Sequence, residues 1–362
     1  MMRESQLPMK LFVALGLFAP AFAWQSQQQP GQTAPEPTES IRTTVNVVLA
    51  PTTVTDKEGN FIAGLQPSEF SLFDNGKKQR LSQDISVHPL SMVVLVQANN
   101  EVTEALPRIQ KIGNLIGEMV VGDNGEAALV EFDHRLQTLL NFTSDPGQIG
   151  DAFKKIKPGS SSSRMIDAVS DAIKKLRTRP DDRRRVILLI SETRDNSSEN
   201  HVREVLTEAQ FANVAIYSIN ISHLVAELTK RDIPPAPSPI PTTAEIGRPG
   251  VATTPTTVSQ NRDLGSVVPA FEEIFKGVKG IFVSDPMDAF TKLTGGRQYS
   301  FVKEKTLEHD LIQLGQELHN QYLLSYHPDN LSDAGYHNIQ VVVDRPGLQV
   351  RTRPGYWSAG GQ

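Results

Sequence analysis

The sequence predicts an α/β protein in which a doubly wound, mostly parallel sheet is inserted into a small antiparallel β domain. Strand and helix patterns alternate through residues 89–318, and this alternation is typical of a parallel sheet covered by helices. Short β patterns without helices lie on both sides of it, in residues 41–88 and 319–357. Because neither flanking set has enough strands for a stable sheet, we expect the two sets to pair with each other.

The parallel strands are predicted from short runs of apolar and β-branched residues. These runs are Met92–Val96, Ala127–Phe132, Arg185–Ile190, Val214–Ile221 and Gln298–Phe301. Apolar residues recur at helical spacing in the segments between them. The predicted helices are Leu106–Met119, Ile166–Leu176, Asp285–Leu293 and Glu304–Leu318.

The flanking β domain is predicted from short strands and from the turn residues that separate them. Before residue 89 the strand patterns are Thr43–Leu49 and Glu69–Phe73, and the turn Asn75-Gly76 follows the second. After residue 318 the strand patterns are Tyr322–Tyr326, Asn338–Val343 and Leu348–Thr352.

The start of the sequence predicts export. Residues 1–23 combine basic residues, the apolar run Leu11–Phe18 and the small-residue site Ala21–Ala23, which is typical of a secretory signal peptide. An uncleaved membrane anchor is the alternative, but the run is shorter than the about 20 residues that a spanning helix needs. We therefore expect a periplasmic or secreted protein without stable membrane insertion after signal cleavage.

Two segments are predicted to be disordered because they offer little to bury. Residues 24–40 form a linker rich in Gln, Pro and Thr. Residues 231–264 interrupt the strand and helix pattern with a Pro-rich and Thr-rich insertion.

Composition and motifs argue against several functional classes. The net charge of -5 gives no electrostatic reason to expect nucleic acid, and the absence of cysteine excludes disulfides and thiolate zinc sites. None of the eight histidines falls in an HExxH or HxxxH pattern, and GxSxG and phosphate-binding glycine loops are missing. We therefore expect no enzyme. A serine-type hydrolase that combines His134 or His223 with a serine is the less favoured alternative.

Three polar loops are expected at one edge of the sheet. Residues 97–101 read QANNE, residues 159–163 read GSSSS, and residues 191–196 read SETRDN. The first and third follow predicted strands, and the second precedes a predicted helix. Because ligands gather at the carboxyl ends of parallel strands, near the point where strand order reverses, this edge is the candidate binding site.

Several motifs along the chain form a recognisable set. They are Val54-Thr55-Asp56-Lys57-Glu58-Gly59, Phe73-Asp74-Asn75-Gly76-Lys77, Glu131-Phe132-Asp133, Thr294-Gly295-Gly296-Arg297 and Arg353-Pro354-Gly355-Tyr356. Over about residues 41–357 the chain resembles the exported bacterial proteins related to the von Willebrand factor A (VWA) domain that are typical of Acidobacteria. The resemblance implies a Rossmann-like VWA sheet and a metal-ion-dependent adhesion site.

That family's metal site uses an aspartate and two serines of a DxSxS motif, a threonine and a second aspartate. By the resemblance, the first aspartate falls on Gln97, the serines on Asn99 and Glu101, the threonine on Ser163 and the second aspartate on Glu192. Only the hydroxyl of Ser163 is retained in kind, so the site is degenerate. Oxygen ligands from Asn99, Glu101, Ser163 and Glu192 suit Ca²⁺ better than Mg²⁺, because Ca²⁺ accepts looser geometry.

The sequence therefore predicts a non-catalytic binding module without a bound metal ion. Its partner is expected to be a protein or another component of the cell envelope, held by the loops that carry Gln97, Asn99, Glu101, Ser163 and Glu192. A Ca²⁺-dependent or Mg²⁺-dependent adhesion module is the alternative. The simplest non-functional interpretation is that Ser163 caps a helix and that the two glutamates are solvated loop residues.

Overall fold

A computed structural model of the protein describes residues 47–82, 88–229, 285–300, 304–329, 333 and 335–358. The predicted signal peptide (1–23), linker (24–40) and insertion (231–264) lie outside the described residues, as does Phe301. Within the part that is described, no helix is both long and apolar enough to cross a membrane.

The described residues form thirteen strands. In chain order they are β1 (Val48–Thr55), β2 (Phe70–Asp74), β3 (Lys77–Gln79), β4 (Leu90–Gln97), β5 (Glu126–Phe132), β6 (Leu136–Thr143), β7 (Arg184–Ser191), β8 (Val214–Asn220), β9 (Gln298–Ser300), β10 (Tyr322–Tyr326), β11 (Gly335–Val343), β12 (Gln349–Thr352) and β13 (Gly355–Ser358). The strands β4 to β9 belong to the α/β part, and the others belong to the antiparallel part.

The helices lie mainly between the strands of the α/β part. They are α1 (Leu106–Lys111), α2 (Gly113–Leu115), α3 (Pro146–Phe153), α4 (Met165–Arg177), α5 (Val202–Phe211), α6 (Ser222–Thr229), α7 (Pro286–Thr294) and α8 (Glu304–Asn320). A π-helical turn, Ile116–Val121, continues α2, so the single helix predicted over Leu106–Met119 has three parts.

The central sheet has the strand order β6-β5-β4-β7-β8-β9, in which only β6 is antiparallel. The chain adds β5 on one side of β4 and then crosses to β7 on the other side. This reversal beside β4 is the switch point where open α/β sheets bind ligands. The doubly wound, mostly parallel sheet predicted from the sequence is confirmed.

Both faces of this sheet are buried. On β4, Val94 and Val96 pack into the cluster that contains Leu311 of α8, whereas Val93 and Leu95 pack into the cluster of α4, α5 and α7. Burial on both faces explains why β4, β7 and β8 appear in the sequence as continuous apolar runs. Strand β6 was not predicted, because its residues are only half-buried or exposed and do not alternate in polarity.

The remaining strands form two antiparallel sheets, with the orders β10-β1-β12 and β13-β11-β2-β3. Strand β1 lies between two strands from the other end of the chain, with Ala50 opposite Leu324 and Thr53 opposite Arg351. Strand β2 pairs with β11 in the same way. The predicted pairing of the N-terminal and C-terminal strands is therefore confirmed, and their inner faces share one hydrophobic core.

Two of the motifs in the sequence join the α/β part to the antiparallel sheets. Gly295 ends α7 with φ +84°, and a Cβ atom there would lie 2.9 Å from the Cβ atom of Arg353. A Cβ atom on Gly296 would lie 1.9 Å from the carbonyl oxygen of Ile216. Arg351 donates hydrogen bonds to both glycine carbonyl oxygens, at 3.0 and 2.9 Å. These glycines are needed because backbone and side chains approach so closely.

Candidate functional site

The three polar loops predicted at the sheet edge lie together at the carboxyl ends of β4 and β7. We call this region, residues 97–101, 159–163 and 191–196, the carboxyl edge. The Asn100 amide donates to the carbonyl oxygen of Ser160 at 2.7 Å, and the Gly159 amide donates to that of Ala98 at 2.6 Å. The first and second loops are thus joined through their backbones.

Gln97 is the centre of a buried network that joins the first and third loops. Its side-chain oxygen accepts hydrogen bonds from the Ser191 hydroxyl at 2.7 Å and from the Glu192 amide at 2.8 Å. Its side-chain nitrogen donates to Oδ1 of Asn99 at 2.9 Å. Gln97 is 0% exposed and Asn99 is 1% exposed. A neutral amide therefore satisfies donors and acceptors on both sides of the switch point without any ion.

The serine loop is fixed by Asp133, which follows β5. Asp133 accepts hydrogen bonds from the backbone amides of Ser160 and Arg135, at 2.8 and 2.7 Å. Burial opposes ionisation of this carboxyl, but these hydrogen bonds and His134 hold its pKa below the usual value. A Cβ atom at Gly159 would lie 2.3 Å from the Asp133 carboxylate, so the loop needs glycine there.

Ser163 does not cap the following helix. Helix α4 begins at Met165, and its N-cap residue is Arg164, which makes no capping hydrogen bond through its side chain. The backbone of Ser163 is bonded to Asn196, because its amide donates to Oδ1 of Asn196 at 2.7 Å. The Ser163 hydroxyl is buried and has no hydrogen-bond partner among the described residues.

The first turn of α4 is capped from the third loop. The Ile166 amide donates to the Asp195 carboxylate at 2.8 Å, and the Asp167 amide donates to the Ser198 hydroxyl at 3.1 Å. An acidic side chain at a helix N-terminus stabilises the free amides and the helix dipole. This role of Asp195 could not be predicted from the sequence, because the residue lies about thirty positions from the helix that it caps.

Asp167 fixes the segment after the third loop. Its carboxylate accepts hydrogen bonds from the amides of Glu199 and Asn200, at 3.1 and 2.9 Å, and from Nε of Arg164 at 2.7 Å. Burial raises the pKa of this carboxyl, but the hydrogen bonds outweigh it and the net pKa is lowered. Asp167 is therefore ionised at neutral pH and keeps this side of the carboxyl edge rigid.

The two glutamates of the predicted site lie in different environments. Glu192 is 2% exposed, so the interpretation of this residue as a solvated loop acid is wrong. Glu101 is half-buried in a short 3-10 turn, Asn100–Val102. The exposed residues of the carboxyl edge include Asn100, Ser161 and Arg194. Glu101 therefore lies nearer to solvent than Glu192 does.

The side chains present do not fit a hard cation without rearrangement. The oxygen of Gln97 already accepts two hydrogen bonds, and Oδ1 of Asn99 accepts one from Gln97. Mg²⁺ needs near-ideal octahedral oxygen ligands, and Ca²⁺ needs more of them. An ion could use the Gln97 oxygen only after those two hydrogen bonds had broken. Within the described residues, no group of three or more His, Asp or Glu side chains is arranged to hold a metal ion.

Ser160 and His134 are not arranged as the nucleophile and general base of a hydrolase. Nδ1 of His134 lies 2.9 Å from Oδ2 of Asp133 and 2.7 Å from the Ser160 hydroxyl. A relay needs the carboxylate and the hydroxyl on different ring nitrogens. Here both contact the same nitrogen, so His134 cannot pass a proton from one to the other. His223 is exposed at the start of α6.

No protein-family model matches the chain, and no curated protein matches it. Solved structures with some similarity include the SpRpn10 VWA domain, with 15% identity and a TM-score of 0.31, covering 36% of this chain and 74% of that one. BatB from Bacteroides thetaiotaomicron shows 13% identity and a TM-score of 0.41, covering 63% of this chain and 98% of its own. An aerotolerance-related membrane protein from Bacteroides fragilis shows 12% identity and a TM-score of 0.37, covering 63% and 99%. These TM-scores lie below 0.5, so the fold assignment depends on the strand order given above.

Proposed function

We propose that this protein is an exported, non-catalytic binding module of the VWA type, which holds a protein or cell-envelope partner on its carboxyl edge without a metal ion. The observation that carries the proposal is the Gln97 network. It occupies the position of the metal site implied by the sequence resemblance and joins the loops that an ion would join.

The Gln97 side chain takes the place of a metal ion as the link between the loops. In a metal-dependent site, several oxygen ligands converge and need a cation to offset their repulsion. Gln97 instead offers a donor to Asn99 and an acceptor to Ser191 and Glu192. Each of these buried hydrogen bonds contributes about 1 kcal/mol to stability. The loops are thus ordered before any partner arrives, which lowers the entropy cost of binding.

The groups that the carboxyl edge offers suit recognition. Glu101 is half-buried, and Asn100, Ser161 and Arg194 are exposed beside it. A partner with lysine or arginine would pair with Glu101, and such pairs mainly set specificity and association rate. Glu192 is too deeply buried to lie in the contact surface, so we assign it to the support of the loops.

One observation favours the metal-dependent alternative. The buried Ser163 hydroxyl lacks a hydrogen-bond partner among the described residues, and the threonine of the VWA site falls on this residue by the resemblance. Calorimetric titration of the purified protein with Ca²⁺ and Mg²⁺ separates the two functions. Our proposal predicts no heat of binding and no change in melting temperature with either ion. Saturable binding that the substitution Ser163→Ala removes would favour the alternative.

Capture of a partner from the native envelope tests the binding surface. We expect the immobilised protein to retain the same partner with and without a chelator. Glu101→Lys should weaken the capture strongly, because it turns an attractive pair with a lysine or arginine of the partner into a repulsion between like charges. Glu118→Lys is the matched control, since Glu118 is exposed on the π-helical turn that precedes β5. Equal capture by both variants would remove the carboxyl edge from the interface.

A further inference from the structure

A second concave site lies at the opposite end of the sheet, where β7 and β8 begin. It is a cleft of about 500 Å³ between this end of the sheet, helix α5 and the strands β1 and β13. We call it the arginine cleft. Its volume lies within the range of about 300–1,000 Å³ that is typical of small-ligand sites.

About half of the residues that line the arginine cleft are apolar or aromatic. They include Val48, Pro51, Phe211, Val214, Leu323 and Trp357. Phe211 is 54% exposed, the largest exposed fraction of any large apolar side chain among the described residues. Polar and charged residues form the rest of the wall, so the cleft offers a ligand both apolar surface and charged groups.

Four arginines line the cleft, and three of them have an ion pair or at least two short hydrogen bonds. Arg183 forms an ion pair with Glu126 at 3.2 Å. Arg184 donates to the carbonyl oxygen of Leu318 and to the side chain of Gln321. Arg185 forms an ion pair with Asp181 at 2.6 Å, although its Nε has no partner among the described residues.

Arg353 is the exception. It is 4% exposed, and within the described residues its Nε has no hydrogen-bond partner and its guanidinium has no carboxylate partner. Within the described residues its guanidinium donates one hydrogen bond, a long contact of 3.5 Å from Nη1 to Oδ1 of Asn213. The guanidinium lies 5.7 Å from the centre of the Tyr356 ring, which offsets part of the charge. Burial lowers its pKa to about 10, so it remains charged at neutral pH.

A buried cation without a counter-ion is costly, and proteins usually pair it or hold it for a ligand. The geometry points to the second case: we infer that the arginine cleft binds an apolar ligand that carries a single carboxylate, which pairs with Arg353. A carboxylate suits this site, because its two oxygens can accept a pair of hydrogen bonds from one guanidinium. The free Nε of Arg185 supplies a further donor on the same wall. The ligand is either a free carboxylic acid or the carboxyl end of a polypeptide.

Matched acids and amides test this inference on the unmodified protein. The probes are 3-phenylpropionate and N-acetyl-leucyl-phenylalanine, each compared with its primary amide by calorimetry and thermal shift. We expect at least one acid to bind and to raise the melting temperature, and both amides to bind at least about tenfold more weakly. Binding by the peptide acid alone identifies a polypeptide end, and binding by both acids identifies the free acid. The inference is overturned if neither acid binds or if acid and amide bind equally.

Three variants locate the binding. Arg353→Gln should abolish the preference for the acid, and the exposed Arg177→Gln is its control. Phe211→Glu places a carboxylate at an exposed position of the cleft, where it should repel the acids without disturbing the core, and Phe211→Gln is its control. An unchanged preference in Phe211→Glu, or in a folded Arg353→Gln, would contradict the inference. Glu101→Lys should leave acid binding intact, so this result is independent of the carboxyl edge.

Discussion

The two ends of the central sheet solve the burial of polar groups in opposite ways. At the carboxyl edge, the neutral side chain of Gln97 accepts two hydrogen bonds and donates a third. Near the amino ends of the strands, Arg351 pairs with the buried Glu317, and Arg353 has no counter-ion among the described residues. The hydrogen bonds of Gln97 use no charged side chain, whereas the buried Glu317 balances the charge of Arg351.

This difference affects what each end needs from outside. A neutral amide whose oxygen and nitrogen both have hydrogen-bond partners is stable where it lies, whereas a buried charge needs a counter-ion. The carboxyl edge, which the sequence identifies, is therefore largely self-sufficient. The arginine cleft contains a buried cation, Arg353, for which we propose that a ligand supplies the missing charge.

The largest loss of stability is expected at the charged end. Glu317→Ala should lower the free energy of unfolding by about 3 kcal/mol, because Arg351 loses its counter-ion and the Tyr217 hydroxyl loses its acceptor. Urea unfolding followed by circular dichroism measures this change. Glu308→Ala is the control on the same helix, since Glu308 is exposed, and it should stay within about 0.5 kcal/mol of the parent protein. A loss below about 1 kcal/mol for Glu317→Ala would show that the charged network adds little.

A smaller loss is expected at the neutral end. Gln97→Met keeps the length of the side chain but removes the acceptor of the Glu192 amide and the donor to Asn99, so it should cost about 2 kcal/mol. No charge loses its partner, which is why the effect should be smaller than that of Glu317→Ala. Gln137→Met, at an exposed position of β6, is the matched control in the same unfolding experiment. If Gln97→Met cost more than Glu317→Ala, the contrast between the two ends would be wrong.

The sequence predicted the parallel strands well because both of their faces are buried. A strand such as β4 must be apolar at nearly every position, and such a run is visible without any knowledge of its neighbours. The pairing of the flanking strands followed from the small size of each set. Strand β6 escaped prediction because it lies at the sheet edge, where half-exposed residues follow no alternating pattern.

The candidate site was predicted in position but not in its interactions. The resemblance located Gln97, Asn99 and Ser163, since each follows or precedes a recognisable element. Gln97 forms hydrogen bonds to Ser191 and Glu192, which lie 94 and 95 positions further along the chain. The burial of Arg353 without a carboxylate likewise depends on several strands at once. Contacts of this kind depend on tertiary packing and cannot be predicted from local sequence patterns.

The smallest change in stability is expected at Ser163, and its sign is the informative part. Removing a buried hydroxyl that lacks a partner leaves nothing unsatisfied, so Ser163→Ala should be neutral or stabilising by up to about 1 kcal/mol. The control is Ser161→Ala, because Ser161 is exposed in the same loop. The same variant should leave capture of the envelope partner unchanged, because Ser163, like Glu192, is too deeply buried to lie in the contact surface.

An unchanged or higher stability with unchanged capture would mean that the Ser163 hydroxyl forms no hydrogen bond, either within the protein or with the partner. Weaker capture would mean that the partner reaches this buried hydroxyl, and the contact surface would then extend below the exposed side chains. A loss of more than about 1 kcal/mol would instead mean that the hydroxyl is bonded within the protein, because only a satisfied hydroxyl contributes that much to folding. In that case Gln97 and Ser163 would belong to one closed network, and recognition would depend on the exposed side chains around Glu101 alone.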